Sequence, residues 1–366
     1  MKQIPLVQPL VGKDEKKVIN DIIDSRMLAS GSYVQEFEKQ AAAYFGTKHA
    51  VAVSSGTTAL HAALLAAGIQ PGDKVLTTPL SFIATANSIL FCGARPVFAD
   101  IDPATFNLSP EAAEQALKKE KNIKAVILVH LYGMPADMDA FLKLKKKYKF
   151  ILIEDCAQAH GATYKGIIAG SFGDLSAFSY YATKNIMTGE GGMVHTSNPR
   201  YDKLIRQIIN HGRSGHSVHT ILGYNFRLTN LAAGIGIVQL GKLKQWNAAR
   251  KKNARYLSEH LQGLGFITTP AIPAHADPVF HQYTVRIPHV LRKKFMEYLQ
   301  KNGVGNGIYY PEVIYRQPFY QKMGYKKGLC PVAEKAVQEV LSLPVHPALT
   351  AKDLETIVTV IRGFKA

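Results

Sequence analysis

Two residues of this chain are spaced for covalent chemistry. The apolar run Phe150-Ile151-Leu152-Ile153 ends in Glu154-Asp155, and Lys184 follows Asp155 by 29 positions in the polar stretch Ser179-Tyr180-Tyr181-Ala182-Thr183-Lys184-Asn185. A lysine amine can hold an aldehyde cofactor as a Schiff base, and a carboxylate at a strand end can pair with a protonated pyridine nitrogen. Pyridoxal phosphate chemistry needs both anchors. Spacing alone does not separate that use from a solvated lysine and a carboxylate paired with an arginine or a helix N-terminus. The surrounding segments have to decide.

Three of them bear on a phosphate-bearing cofactor. Val51-Ala52-Val53-Ser54-Ser55-Gly56-Thr57-Thr58 reads as a strand opening, through small hydroxyl residues and glycine, into the all-apolar helix Ala59 to Ala67. A helix apolar all round has to be buried. Free N–H groups and the positive dipole end at Gly56 and Thr57 suit a phosphate dianion. Equally, Ser55 or Thr57 caps a core helix and does no more. In Glu154-Asp155-Cys156-Ala157-Gln158-Ala159-His160-Gly161, Asp155 sits at the edge of the core, where an unpaired carboxylate is costly. Gln158 and His160 are candidates for the cofactor's phenolic oxygen or ring face, and equally for satisfied core polar groups. Ser179, five residues before Lys184, is placed to donate its hydroxyl to a phosphate, and Gly189-Glu190-Gly191-Gly192 returns the chain to the sheet after the lysine.

The elements that must position these residues are legible in outline. β-rich runs at 49–53, 74–77, 96–100, 125–130, 150–154 and 176–179 alternate with helical runs, one opened by Ser109-Pro110-Glu111 and another by Asp137. Such alternation implies an α/β fold with a largely parallel sheet covered on both faces and ligands at the carboxyl ends of the strands. Residues 228–263 read as one long or broken helical stretch weakened by Gly234 and Gly236, leading into a smaller α+β unit. That unit has a strand at 282–287 and helices near 293–301, 332–341 and 353–362.

At 366 residues the chain is long enough for two domains. A hydrophobic fraction of 47% with 19% charged residues is that of a soluble globular protein. No basic-then-apolar leader and no run of about 20 apolar residues is found, so a cytoplasmic location without membrane partners is expected. Cys92, Cys156 and Cys330 are widely spaced without a CxxC pattern, which argues against a disulfide framework and a metal site. The formal charge of +17 is dispersed in short pieces, among them Lys118-Lys119, Lys143 to Lys149 and Arg250-Lys251-Lys252, which read as solvated helix faces. No nucleic-acid module accompanies them.

Taken together, the segments SSGTTA (54–59), PLSFIATAN (79–87), HLYGMPADMD (130–139), EDCAQAHGA (154–162), SFGD (171–174), FSYYATKNIMTGEGGM (178–193) and GYNFRLTN (223–230) resemble the DegT/StrS family of pyridoxal-phosphate-dependent nucleotide-sugar aminotransferases. The resemblance implies a three-layer fold type I α/β transferase with a mainly parallel central sheet. It implies a large cofactor-binding domain with an N-terminal arm over residues 1–245 and a small C-terminal α+β domain over 246–366. It also implies roles: Lys184 as the Schiff-base lysine and proton carrier, Asp155 on the pyridine nitrogen, and Phe82 stacked on the ring. Gln158 would lie against the ring, and Gly56, Thr57 and Ser179 would hold the phosphate. Asn225 would complete the phosphate site of a second subunit, giving a homodimer with shared active sites. The substrates implied are a nucleotide-diphosphate keto-sugar and glutamate. Segments 223–228 and 307–311 look more like the perosamine synthase branch, which aminates carbon 4, than like the carbon 3 enzymes.

Other readings are weighed against this one. Dehydratases of the same fold commonly carry histidine where this chain has Lys184, so the lysine favours amino transfer. A catalytically silent regulatory homologue would not need every cofactor position filled. A dinucleotide-dependent oxidoreductase would need a GxGxxG after an early strand, and there is none.

Overall fold

The computed structural model describes residues 3–215 and 217–365. Its centre is a seven-stranded sheet. In chain order the elements reaching it are α1 (Lys13–Ser25), α2 (Ser32–Phe45), β1 (His49–Val53), α3 (Gly56–Ala66), β2 (Lys74–Thr77), α4 (Ala84–Phe91), β3 (Arg95–Phe98), α5 (Pro110–Lys119), β4 (Ile123–Val129), α6 (Met138–Tyr148), β5 (Ile151–Asp155), a small hairpin β6 (Thr163–Tyr164) and β7 (Ile167–Ile168), β8 (Leu175–Ser179), β9 (Gly192–Thr196) and α7 (Pro199–Ile208). The sheet order is β1-β9-β8-β5-β4-β2-β3.

Both faces of the sheet are buried, which is why its strands read as nearly continuous apolar runs. Side chains alternate between the faces with a period of two. Val51, Val53, Ala125, Ile127, Ile153, Ala177 and Val194 pack under α3, α4 and α7. Ala50, Ala52, Phe178 and Met193 face α2, and Val126, Leu128 and Leu152 face the α6 residues Phe141 and Leu144. The helix–sheet–helix layering is the one the resemblance implies, with one departure from a parallel sheet. β9 runs antiparallel to both β1 and β8. The glycine-rich segment that returns the chain after Lys184 thus becomes an internal strand, and its register aligns Gly192 with Val53 on one side and Ser179 on the other. The ends of β1 and β8 and the start of β9 therefore share one edge, with Asp155 of β5 beside Ala177 of β8.

The stretch expected over 228–263 is one uninterrupted helix, α8 (Asn230–Leu261), with Thr229 accepting from the Ala232 N–H as its cap. Gly234 and Gly236 do not break it because they are contact points. A Cβ on Gly234 would stand 2.4 Å from Ile22 Cδ1 of α1, and one on Gly236 would stand 2.5 Å from Phe37 Cζ of α2. Beyond these, α8 sends Ala254, Leu257 and Leu261 into a second core. There α9 (His289–Lys301) covers the antiparallel strands Tyr283–Arg286 and Val340–Leu343.

Two sequence expectations for this unit need correction. The helix expected to Leu341 ends at Glu339, since Val340–Leu343 is a buried run whose backbone groups are taken up by pairing with Tyr283–Arg286. Arg250 does not lie on a solvated face: it shares the inward side of α8 with Leu243, Asn247 and Ala254 and is buried.

The glycines of α8 give a test within one helix. Gly241→Ala, with open space around the added methyl, should raise stability by about 0.5–1 kcal/mol through helix propensity. Gly236→Ala should lower it by about 1–3 kcal/mol because Phe37 must move. Denaturation midpoints of the two variants should shift in opposite directions.

Candidate active site

The shared edge of β1, β8 and β9 opens into a cavity of about 500 Å³, lined among others by Gly56, Thr57, Phe82, Thr85, Asp155, Gln158, Ser179, Lys184, His281 and Tyr310. Seven of the eight expected site residues therefore meet in one place. The eighth, Asn225, does not line this cavity. It is exposed, on a segment whose backbone bridges to Asn210.

The turn after β1 is fixed from three sides. Ser55 caps α3, its Oγ accepting from the Thr58 N–H at 3.1 Å while Thr58 Oγ1 accepts from the Ser55 N–H at 2.9 Å. With Ser55 spent on the cap, Gly56 and Thr57 carry first-turn N–H groups that have no intrahelical acceptor. Gly56 has to be glycine because a Cβ there would lie 2.6 Å from Ser179 Cβ. The same close approach brings the Ser179 hydroxyl to the helix N-terminus. Two serine and glycine segments far apart in sequence so form one polar cradle at a positive dipole end.

Asp155 ends β5 and is 4% exposed. Its Oδ2 accepts from the Thr85 hydroxyl at 2.9 Å and its Oδ1 from the Ala157 N–H at 3.1 Å. Ser81 is 2.9 Å from Thr85 and backs up that donor. Among the described residues no lysine, arginine or histidine forms an ion pair with Asp155. Burial pushes its pKa up, opposed by the Ala157 and Thr85 hydrogen bonds and then by the charges of Lys184 and His130. Lys184, half-buried on the same cavity, is shifted the other way: burial brings its pKa down to about 8, with Asp155 working against the shift. A lysine so placed is a stronger nucleophile at neutral pH than a solvated one.

The strand pleat separates the two acids of Glu154-Asp155. Glu154 points away from the cavity, accepting from the N–H groups of Gly170, Phe172 and Gly173 at 2.6–2.8 Å and lying 3.0 Å from His130 Nε2. His130 Nδ1 accepts from the Ala136 N–H at 3.0 Å, so Nε2 carries the ring proton and donates to Glu154. His130, Glu154 and Cys156 are near enough together to suggest a metal site. The lone pairs and protons of His130 and Glu154 are committed to these hydrogen bonds.

The remaining expectations divide. Gln158 lines the cavity and is also a satisfied polar group, its Oε1 accepting from the Tyr132 N–H at 2.7 Å and its Nε2 donating to Tyr310 Oη at 3.1 Å. Phe82 stands at the rim, more than half exposed, with its ring centroid 6.0 Å from that of Tyr310. His160 does not reach the cavity. It is buried among Phe45, Phe178 and Tyr180, and burial pushes its pKa down to about 3.

Sequence reading passed over Thr85 and Ser81, although both lie in the 79–87 segment, because a hydroxyl on an apolar helix carries no chemical signature. It gave no role to His281, which arrives from the C-terminal unit with no motif around it.

Comparison with known proteins places this geometry. The sequence model of the DegT/DnrJ/EryC1/StrS aminotransferase family matches residues 9–362. A pleiotropic regulatory protein of Geobacillus stearothermophilus is 40% identical, covering 95% of this chain and 93% of its own. The GDP-perosamine synthase of Caulobacter vibrioides is 36% identical, covering 99% and 98%. The UDP-N-acetyl-3-dehydro-alpha-D-glucosamine 3-aminotransferase of Acidithiobacillus ferrooxidans is 38% identical, covering 94% and 92%. Among solved structures, S. venezuelae DesV in complex with a ketimine intermediate superposes with a TM-score of 0.93 at 33% identity over 98% of both chains.

The shifted lysine is directly testable. In cofactor-free protein, modification of Lys184 by an amine reagent, followed by peptide mass spectrometry, should rise with an inflection near pH 8. Asp155→Asn removes the charge that holds the ammonium form and should move that inflection lower. An inflection in the range of ordinary lysines, about 10.4, would contradict the burial described.

Proposed function

The chain belongs to the DegT/DnrJ/EryC1/StrS aminotransferase family, and on that premise we propose that it transfers an amino group from L-glutamate to the C4 keto group of a nucleotide-linked deoxy sugar, using pyridoxal 5'-phosphate. That it is a nucleotide-sugar aminotransferase follows from the family and its relatives. The donor, the carbon position and the residue roles are proposed.

The observation that carries the reading is a buried carboxylate without an ion pair, Asp155, sharing a cavity with a lysine whose pKa is lowered to about 8. The residues present fit the cofactor. Asp155 would accept the pyridine N–H, which supplies the missing cation. The Gly56 and Thr57 N–H groups with the Ser179 hydroxyl would take the phosphate, and Gln158 and Phe82 would flank the ring. Bound there, pyridoxal phosphate supplies an aldehyde for the lysine and a ring that withdraws electrons from the substrate carbon.

The chain's own part is to hold and move protons. Lys184 Nζ would first anchor the cofactor and, once displaced by a substrate amine, carry a proton between substrate and cofactor carbons. A pKa near 8 lets the amine both take and give that proton near neutral pH. Thr85 and the Ala157 N–H would keep the Asp155 carboxylate aimed and ionised, so that the pyridine stays protonated.

Relatives that aminate both positions match the chain over most of its length, the perosamine synthase and the 3-aminotransferase among them. Preference for C4 rests on segments 223–228 and 307–311, the latter bringing Tyr309 and Tyr310 to the cavity wall. Asn225, exposed and away from its own cavity, supports a homodimer in which it reaches the phosphate of a second copy. A division into units at 1–245 and 246–366 would place the boundary inside α8. No helix among the described residues is long and apolar enough to cross a membrane, and a cytoplasmic enzyme of amino-sugar or surface-polysaccharide synthesis is the reading proposed.

A panel of nucleotide-linked 3-keto and 4-keto sugars with glutamate tests the substrate assignment, turnover being expected with a 4-keto sugar. Lys184→Ala should lower turnover by about 10³-fold or more; a variant as fast as the parent would remove the lysine from the mechanism. Mixing Lys184→Ala with Asn225→Ala subunits should restore activity, because one site of each heterodimer then has both native residues. Heterodimers without recovery would place Asn225 in its own subunit's site.

A further inference from the structure

His281 sits on the cavity wall in a state set by its neighbours. The chain of partners starts at a backbone carbonyl, which can only accept. Asn247 Nδ2 on α8 donates to the His160 carbonyl at 2.7 Å, which turns Asn247 Oδ1 toward Asn185. Asn185 Nδ2 donates to that oxygen at 2.9 Å and reaches the Val279 carbonyl at 3.5 Å, which leaves Asn185 Oδ1 as an acceptor. His281 Nδ1 lies 3.1 Å from it and must carry the ring proton.

The backbone is held as well. Arg250, also on α8, donates through Nη1 to the carbonyls of Phe280 and His281 at 3.2 and 3.3 Å. Phe280 is held at a φ of +46°, a conformation that non-glycine residues keep only where the surroundings impose it. Burial, then the positive charges of Lys184 and Arg250, then His160, push the His281 pKa well below its ordinary value. With Nδ1 committed and the ring neutral, the free edge of His281 presents the bare lone pair of Nε2.

We propose that His281 Nε2 is a substrate-binding group that accepts a hydrogen bond from a hydroxyl of the sugar. The inference rests on the nucleotide-sugar reading above. An acceptor-only face suits a hydroxyl donor and repels carboxylates, so it discriminates for the sugar and against the amino donor, although both use the same cavity.

Because transamination divides into two half-reactions, each can be measured alone: bleaching of the cofactor band by glutamate, and its recovery on adding a nucleotide keto-sugar. His281→Phe should lower kcat/KM of the sugar half-reaction at least tenfold more than that of the glutamate half-reaction, about the worth of one hydrogen bond whose partner is left unpaired. His281→Gln, which keeps an acceptor, should recover part of the loss. Equal losses in both halves, or none in either, would overturn the proposal, the first by making His281 act through Lys184.

Unmodified enzyme provides a second arm that does not depend on a variant folding. Among nucleotide keto-sugars each lacking one ring hydroxyl, one should lose about tenfold in kcat/KM. Unchanged rates for all of them would equally overturn the proposal. A parent enzyme that turns over no nucleotide keto-sugar at all would instead defeat the substrate reading, and would show before any variant is made.

Discussion

The rest of the site depends on one buried charge. Asp155 closes a central strand at 4% exposure, and taking a carboxylate out of water is expensive unless a cation or several donors meet it. Here the protein provides two donors, one hydroxyl and one backbone N–H, and among the described residues Asp155 forms no ion pair, Lys184 on the same cavity included. Burial raises one pKa and lowers the other, so acid and amine are each pushed toward neutrality. Opposed shifts on an acid and a base that share one cavity are the pattern of a functional site more than of a stabilising ion pair.

The fold supports that unfavourable arrangement by spending its favourable interactions one residue away. On the opposite face of the same strand, Glu154 is given three N–H donors and a histidine. The pleat forces consecutive acids to opposite sides. One is over-satisfied and pins the 170–173 loop, and the other is left partly unsatisfied and faces the cavity. The same economy holds at the first turn, where Ser55 and Thr58 complete a cap between themselves and leave the N–H groups of Gly56 and Thr57 uncommitted.

Much of this was legible in the sequence because it rests on local rules. Ser109 and Asp137 cap the helices they precede, and the apolar runs fall on the strands of the sheet to within two residues. Lys184, Asp155, Gly56, Thr57, Ser179, Gln158 and Phe82 share a cavity, as the motifs taken together indicate. What escaped is tertiary in origin. Val340–Leu343 has helical neighbours, and only its partner strand makes it extended. Gly234 and Gly236 weaken an isolated helix, yet within the fold they are where Ile22 and Phe37 lodge. His160, inside the most informative motif, turns into an aromatic core, whereas His281, outside every motif, reaches the cavity. Side-chain direction at a loop is fixed by contacts that no sequence window contains.

The helix α8 shows how such long-range contacts can be made exacting by a simple repeat. Asn247, Arg250 and Asn253 follow at intervals of three, so they form one inward polar stripe along the helix. Each takes hold of a different segment at its carbonyls: Asn247 at His160, Arg250 at Phe280 and His281, Asn253 at Val345 and His346. His346 in turn meets the Pro5 carbonyl, two residues before Val7 on the cavity wall. Backbone carbonyls cannot reverse their polarity, so every clamp fixes the orientation of an amide or guanidinium as well as its position. Three loops from distant parts of the chain are thereby referred to one rigid rod, and the rod begins in the core of the sheet that carries Asp155. The positions of the acid, the lysine and the histidine are therefore referred to a single body, which keeps their relative placement fixed.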